Sequence, residues 1–179
     1  LSDKNDINNL VEEANKSYQM IDILINNAGI TRDNLFIRMS DDDWDKVINI
    51  NLTANFRLTK LLIKGMIKNR WGRIINITSD AARIGNPGQS NYVASKSAIE
   101  GMTRTLANEV ASRGVTVNCV SPGFIKTEIL KSIDKSRLET MSKQVPLGRI
   151  GETKEIADIV FFLTSEESSY ITGQVLHVN

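Results

Sequence analysis

Tyr92 and Lys96 stand four positions apart in the stretch SNYVASKSA, residues 90–98, among small neighbours. Four residues is about one helical turn, so on a helix the two side chains share a face. Such a pair can serve acid–base chemistry. A phenol ionises near 10, too high for efficient proton exchange at neutral pH, and a fixed ammonium beside it favours the phenolate. Bringing the phenol near 7 takes about three pH units, or roughly 4 kcal/mol of differential stabilisation. An ordinary surface helix offers the same pair as an amphipathic tyrosine and a solvated lysine. The surroundings must decide.

Three loops supply further polar or glycine residues. In NNAG, residues 26–29, Asn26 and Asn27 offer hydrogen bonds, while Ala28 and Gly29 let another molecule approach the backbone. Ser79 follows the apolar run RIINIT (73–78), and Pro122 with Gly123 makes a fixed turn after VTVNCV (115–120). Each alone reads as a turn. Together, beyond the carboxyl ends of parallel strands, they describe a cleft. Asn51 lies in INLT, a run of poor helix formers inside the long helical stretch 41–69, where a break or kink is expected. A buried asparagine there can bond freed backbone groups or hold a water, and it can equally be a simple cap.

The elements that must position these residues alternate. A polar amphipathic stretch at 5–18 leads into IDILI (21–25), a buried strand. Helix 41–69 opens on Ser40 with Asp43 three residues later, a capping-box pattern with carboxylates in the first turn. Strand 73–78, helix 91–111 closed by Gly114, and strand 115–120 follow. After a variable segment come a helix near 153–164 and a last strand at 174–178. This order predicts an α/β chain with a doubly wound parallel sheet covered on both faces. No repeat or interdomain linker interrupts it.

Composition sets the class. The chain has 179 residues, 41% hydrophobic and 24% charged, with net charge +1, so one domain is expected and no global field draws it to nucleic acid. No apolar run approaches the roughly 18 residues of a membrane span, and no signal peptide opens the sequence. A cytoplasmic setting is expected. The single cysteine, Cys119, excludes an internal disulfide and reads as a buried thiol. The only histidine, His177, lies on the last strand and reads as structural, so no metal site is expected. None of the 11 glycines forms G-x-G-x-x-G, so either no dinucleotide binds or the pyrophosphate segment is absent. The start at Leu1 and the stop just after a strand make both ends look cut.

NNAG, Asn51, Ser79, Tyr92-x-x-x-Lys96 and Pro122-Gly123, in this order and spacing, resemble the short-chain dehydrogenase/reductase family. Within it, NNAGITRDNLFIRM, GRIINITS, GQSNYVASKSAIEG, ASRGVTVNCVSPGFIKTE and PLGRIGETKEIADIVFFL resemble 3-oxoacyl-[acyl-carrier-protein] reductases of dissociated fatty acid synthesis. The resemblance covers the whole chain. It implies a Rossmann-like sheet whose first three strands and Gly-rich loop are missing here, residues 1–179 being the carboxyl-terminal two-thirds of one domain.

It also implies NADPH-dependent reduction of a 3-oxoacyl thioester on acyl carrier protein, with NADH not excluded. Tyr92 then donates the proton, Ser79 bonds the substrate carbonyl, Lys96 bonds the nicotinamide ribose and Asn51 holds a water in a relay. Leu1, Asn27, Ala28, Gly29, Pro122, Gly123, Ile125 and Thr127 join Tyr92 and Lys96 around the cofactor. Arg70 and Arg113 are expected near the cleft, where they would meet the acidic carrier. The stripe Leu58, Leu61, Leu62, Met66 and the small residues Ala94, Ala98, Gly101 and Ala107 would pair two helices between subunits of a homotetramer. Another carbonyl, such as a 3-oxoacyl-CoA, or a non-catalytic cofactor-bound scaffold are the alternatives.

Overall fold

A computed structural model of the chain describes residues 3–127 and 134–179. Four strands, β1 (Ile23–Asn26), β2 (Gly72–Ile77), β3 (Val115–Pro122) and β6 (Val175–Val178), form one parallel sheet in the order β1-β2-β3-β6. Two short strands, β4 (Ile125–Lys126) and β5 (Gly151–Glu152), make a separate parallel pair in the segment read as variable. The helices are α1 (Lys4–Ser17), α2 (Asp41–Val47), α3 (Ala54–Asn69), α4 (Ala81–Ile84), α5 (Ser90–Val110), α6 (Lys135–Gln144) and α7 (Thr153–Thr164).

Alternation along the strands divides the core. On β2, Ile74 faces a cluster with Leu24, Met66, Ala107, Val110, Val115 and Val117, beneath α3 and α5. Its neighbour Ile75 faces the other way, onto Val120 and Leu163, where Ile156, Ile159 and Val160 of α7 close the layer. Successive side chains of a strand point to opposite faces, and a parallel sheet buried on both reads as a continuous apolar run. The doubly wound architecture expected from the sequence is present.

Local chemistry sets the boundaries. Ser40 caps α2, its hydroxyl accepting from the Asp43 amide at 3.1 Å and donating to the Asp43 carboxylate at 2.8 Å. The long stretch 41–69 is broken where INLT predicted it: Ile48–Thr53 form a π-turn between α2 and α3, and the Ala54 amide reaches back to Asn49 O. Gly114 takes φ +70° after α5, and a Cβ there would collide with the Arg70 carbonyl oxygen. Of the residues expected to pair helices, Met66 and Ala107 are buried and Leu58 and Leu62 pack against the same cluster, while Leu61 and Ala98 are exposed.

Candidate active site

Right-handed crossovers place the residues that follow each strand along one edge of the sheet. Ser79 lies two residues beyond β2, and the Pro122-Gly123 turn ends β3. Tyr92 sits in the first turn of α5, which the sequence places back at that edge. These four residues line one cavity of about 640 Å³, together with Thr31, Ile84 and Val145 among others. Lys96, one turn further along α5, is buried beneath it.

Tyr92 and Lys96 do share a face, but not as an ion pair. Lys96 Nζ stands 5.6 Å from the centre of the Tyr92 ring and donates to Ile77 O at 2.7 Å. Burial is the largest influence on the phenol and raises its pKa above 10; a hydrogen bond from Ser79 opposes that, and the Asp33 carboxylate adds to it. The expectation that a neighbouring ammonium brings Tyr92 down near 7 is therefore not met in this chain. The lysine is itself desolvated. Burial lowers its pKa to about 8.

Asn51 lies in the π-turn, 2% exposed, and clamps the loop after β1. Its Oδ1 accepts from Ile30 N at 2.8 Å, and its amide donates to Ile30 O at 3.0 Å and to Ser95 Oγ at 3.1 Å. Both amide hydrogens are thus committed to protein atoms. Gly29 packs between the two buried side chains: a Cβ there would lie 3.3 Å from Asn51 Oδ1 and 3.5 Å from Lys96 Nζ. A glycine keeps the backbone close and leaves the space above Lys96 unfilled.

The remaining predicted residues scatter. Asn27, Ala28 and Gly29 are exposed at the end of β1. Ile125 pairs with Gly151 in the β4–β5 strand pair, and Thr127 is exposed beyond it. Leu1 lies outside the described residues. Arg70 and Arg113 precede β2 and β3, at the opposite edge of the sheet from this chain's own cleft. The 21 residues of α5 span about 30 Å between Tyr92 and that edge. There Arg70 Nη2 donates to Ser112 O at 3.1 Å.

Sequence reasoning missed the polar groups beneath the cleft. Asn26 reads as a loop residue, yet it closes β1 and its amide donates to Asn76 Oδ1 at 2.9 Å. Asn55 also donates to Asn76 Oδ1, and Asn76 donates to Thr103 Oγ1 at 2.8 Å. Asn91, fully buried beside Tyr92, donates to Arg32 O and Asp43 O and accepts from Tyr92 N. Gln89 holds Asp33 at 2.9 Å. A signal existed: an asparagine inside RIINIT or directly before Tyr92 must find partners once buried.

Cys119 is buried on β3, donates to Thr103 Oγ1 at 3.2 Å, and has its thiol pushed up to about 12, chiefly by burial. It is not a nucleophile at neutral pH. His177 Nδ1 lies 3.7 Å from Asp80 Oδ1. Among the described residues no group of three potential metal ligands is present, and no helix is long and apolar enough to cross a membrane.

A family profile described as "Enoyl-(Acyl carrier protein) reductase" matches residues 1–179. The chain is 52% identical over 179 residues to the 3-oxoacyl-[acyl-carrier-protein] reductase FabG of Rickettsia conorii, covering 100% of this chain and 73% of that protein. It is 51% identical over 180 residues to the Vibrio harveyi protein of the same name, with the same coverage, 100% and 73%. The Nodulation protein G of a Rhizobium species is 48% identical over 179 residues, again 100% of this chain and 73% of the relative. The chain belongs to the short-chain dehydrogenase/reductase family. As a member of that family it is an NAD(P)-dependent oxidoreductase. Its residues fit such a cofactor: Gly29 leaves space over a buried lysine, and Tyr92, Ser79, Pro122 and Gly123 share one open cavity.

Proposed function

We propose that the protein reduces 3-oxoacyl-[acyl-carrier-protein] to 3-hydroxyacyl-[acyl-carrier-protein] with NADPH, in fatty acid elongation. The observation that carries this reading is the meeting of Ser79 and Tyr92 on one cavity with Lys96 buried a turn away. The relatives named above supply the substrate class. Asn27, Ala28, Gly29, Lys96, Pro122, Gly123, Ile125 and Thr127 would hold the cofactor, which supplies a hydride to the substrate's carbonyl carbon.

The chain's own residues handle the proton. A raised pKa keeps Tyr92 protonated at neutral pH, which suits an acid. As the carbonyl carbon is reduced, its oxygen becomes an alkoxide, a far stronger base than a phenolate, so transfer from Tyr92 Oη runs downhill. Ser79 donates a hydrogen bond to the same oxygen and aligns the carbonyl. Lys96, with a pKa of about 8, is largely charged at pH 7 and stabilises the phenolate left behind. Asn51 acts as a positioning residue for Gly29 and Ile30, and a relay water would use the second lone pair of its Oδ1.

The reading places the protein in the cytoplasm as a homotetramer paired through α3 and α5, with Arg70 and Arg113 as one candidate contact for the carrier. A panel of 3-oxoacyl thioesters on carrier protein and on coenzyme A, each with NADPH and NADH, tests it. Preference for the carrier-bound thioester and NADPH is the expected outcome. Failure to oxidise either nicotinamide with any 3-oxo thioester would overturn the reading.

A further inference from the structure

Asp80 follows Ser79 directly and lines the same cavity, yet none of the roles proposed above uses its carboxylate. The side chain is 16% exposed, and a carboxylate so far out of water needs partners. It has two, both at Oδ1. Arg83 Nε donates to that oxygen at 3.1 Å, and His177 Nδ1 on β6 lies 3.7 Å away, a charge contact rather than a hydrogen bond. The backbone of Asp80 is tied as well. Its amide donates to Pro122 O at 2.9 Å, and its carbonyl accepts from Arg83 N at 2.9 Å and Ile84 N at 3.1 Å.

These ties surround the hydroxyl of Ser79. Ser79 Oγ accepts from Ala81 N at 3.3 Å and Ser79 O accepts from Ala82 N at 2.9 Å, so the first turn of α4 sets where the hydroxyl points. With Oγ held through a lone pair, its proton is left for Tyr92 and the substrate carbonyl. α4 has four residues, too few to hold that turn alone, because a single helical turn is unfavourable in isolation. Its far side is fastened by Ser97 Oγ, which donates to Ala82 O at 3.1 Å. Its near side is fastened by Asp80, whose pair with Arg83 three residues on spans the turn.

We propose that Asp80 is a positioning residue for the reduction: its carboxylate, between Arg83 and His177, fixes the first turn of α4 and with it the direction of the Ser79 hydroxyl. The inference rests on the role given to Ser79 above. As a source of stability the pair matters little, since Arg83 is 58% exposed and exposed ion pairs contribute little. Direction is another matter, because a misplacement of about 1 Å can cost about a hundredfold in rate. With Oδ1 engaged by Arg83, Asp80 acts through Ser79 and not on the substrate.

The test is a double-mutant cycle on the intact protein, with a small carrier-free 3-oxo thioester and NADPH. Asp80→Ala should lower kcat by about tenfold, less than the loss of about a hundredfold expected for Ser79→Ala, with KM for NADPH within about twofold. In the Ser79→Ala background the same change should cost less than about twofold more. Asp80→Asn, which keeps an acceptor for Arg83, should recover much of the loss. An equal loss in both backgrounds would show Asp80 acting apart from Ser79 and overturn the proposal, as would Asp80→Ala turning over within about twofold of the parent. Should Asp80→Ala not fold, Arg83→Met with His177→Gln strips the same oxygen and is read in the same cycle. Amide exchange gives a readout free of turnover: Asp80→Ala should speed exchange at Ala81 and Ala82 by about tenfold and leave β2 unchanged. Unchanged exchange at both amides overturns the proposal. A parent that turns over no 3-oxo thioester would sink the function proposed above, and the exchange rates alone would then decide whether Asp80 sets Ser79.

Discussion

At the amino ends of β2 and β3, polar side chains are used on one another. Arg73 is 2% exposed, donates to Gly72 O at 3.1 Å and lies over the Trp71 ring at 4.5 Å. Trp71 in turn donates to Glu166 Oε1 at 2.6 Å, and Arg70 donates to Ser112 O. At the carboxyl ends of the same strands, Tyr92 and Ser79 face an open cavity instead, over a lysine whose pKa burial has lowered to about 8. One sheet therefore carries an edge where most polar side chains are paired, Thr116 Oγ1 being a buried exception, and a poised one. Residue type does not separate them, since arginine, tyrosine and lysine suit either task. What separates them is whether the polar atoms are consumed by neighbours or held with reach to spare.

The largest expected effect lies at the poised edge. Tyr92→Phe keeps the ring and deletes the proton, so steady-state turnover should fall about a hundredfold to ten-thousandfold with little change in melting temperature. Turnover within about threefold of the parent would remove Tyr92 from the proton path and dissolve the contrast. Next comes the layer just under the cleft. Asn76→Ala strips a partner from Asn26, Asn55 and Thr103, but Asn26 keeps Asn55 and Thr59, and Thr103 keeps Cys119. With one or two groups unsatisfied at about 1–3 kcal/mol each, denaturant melts should show a loss of about 2–4 kcal/mol. A loss under about 0.5 kcal/mol would mean the network is filled by solvent rather than by itself.

A smaller effect should depend on pH. Folding lowers the Lys96 pKa from 10.5 to about 8, so between those values the unfolded chain binds the extra proton and stability rises with pH. From pH 7 to 9.5 the parent should gain about 2 kcal/mol relative to Lys96→Met, at about 1.36 kcal/mol per unit beyond 8. Measuring against the variant removes most of the opposing contribution of Cys119, whose thiol is raised chiefly by burial in both chains and only lastly influenced by Lys96. Parallel stability curves for the two chains would show that Lys96 is not desolvated. The smallest effect belongs to the paired edge. Arg70→Ala removes one exposed bond to Ser112 O, and thermal melts should move by less than about 1 kcal/mol, with turnover of a carrier-free thioester unchanged. A large loss of turnover would tie the two edges together.

Much of this was legible before any coordinates. Short apolar runs alternating with amphipathic ones specify a parallel sheet, and INLT announced the break at residues 48–53 because β-branched and asparagine residues hold a helix weakly. Type and spacing single out Tyr92, Lys96, Ser79 and Asn51 as candidates, and the fold brings Ser79 and Tyr92 to one cavity with Lys96 buried a turn away. The direction of the Tyr92 shift was not legible, because spacing shows that two groups are neighbours and says nothing of how much water each has lost. Asn26, Asn55 and Asn76 were missed for a related reason. A hydrogen-bond network across β1, β2 and α3 joins residues up to 50 positions apart, and no local pattern encodes it.

The π-turn at Ile48–Thr53 also sets a phase. Each helical residue advances about 100° around the axis, so one extra residue in a turn rotates everything after it by that amount. α2 and α3 are consequently two helices with offset faces, although they are continuous in sequence. Read as one unbroken helix, 41–69 would swing Asn51 off Ile30 or turn Leu58 and Leu62 out of the core, because a single phase cannot serve both. The slip lets a loop clamp and a core-facing stripe share one stretch of chain. Deleting a single residue within 48–53 should leave the helix content intact and put the two faces out of step.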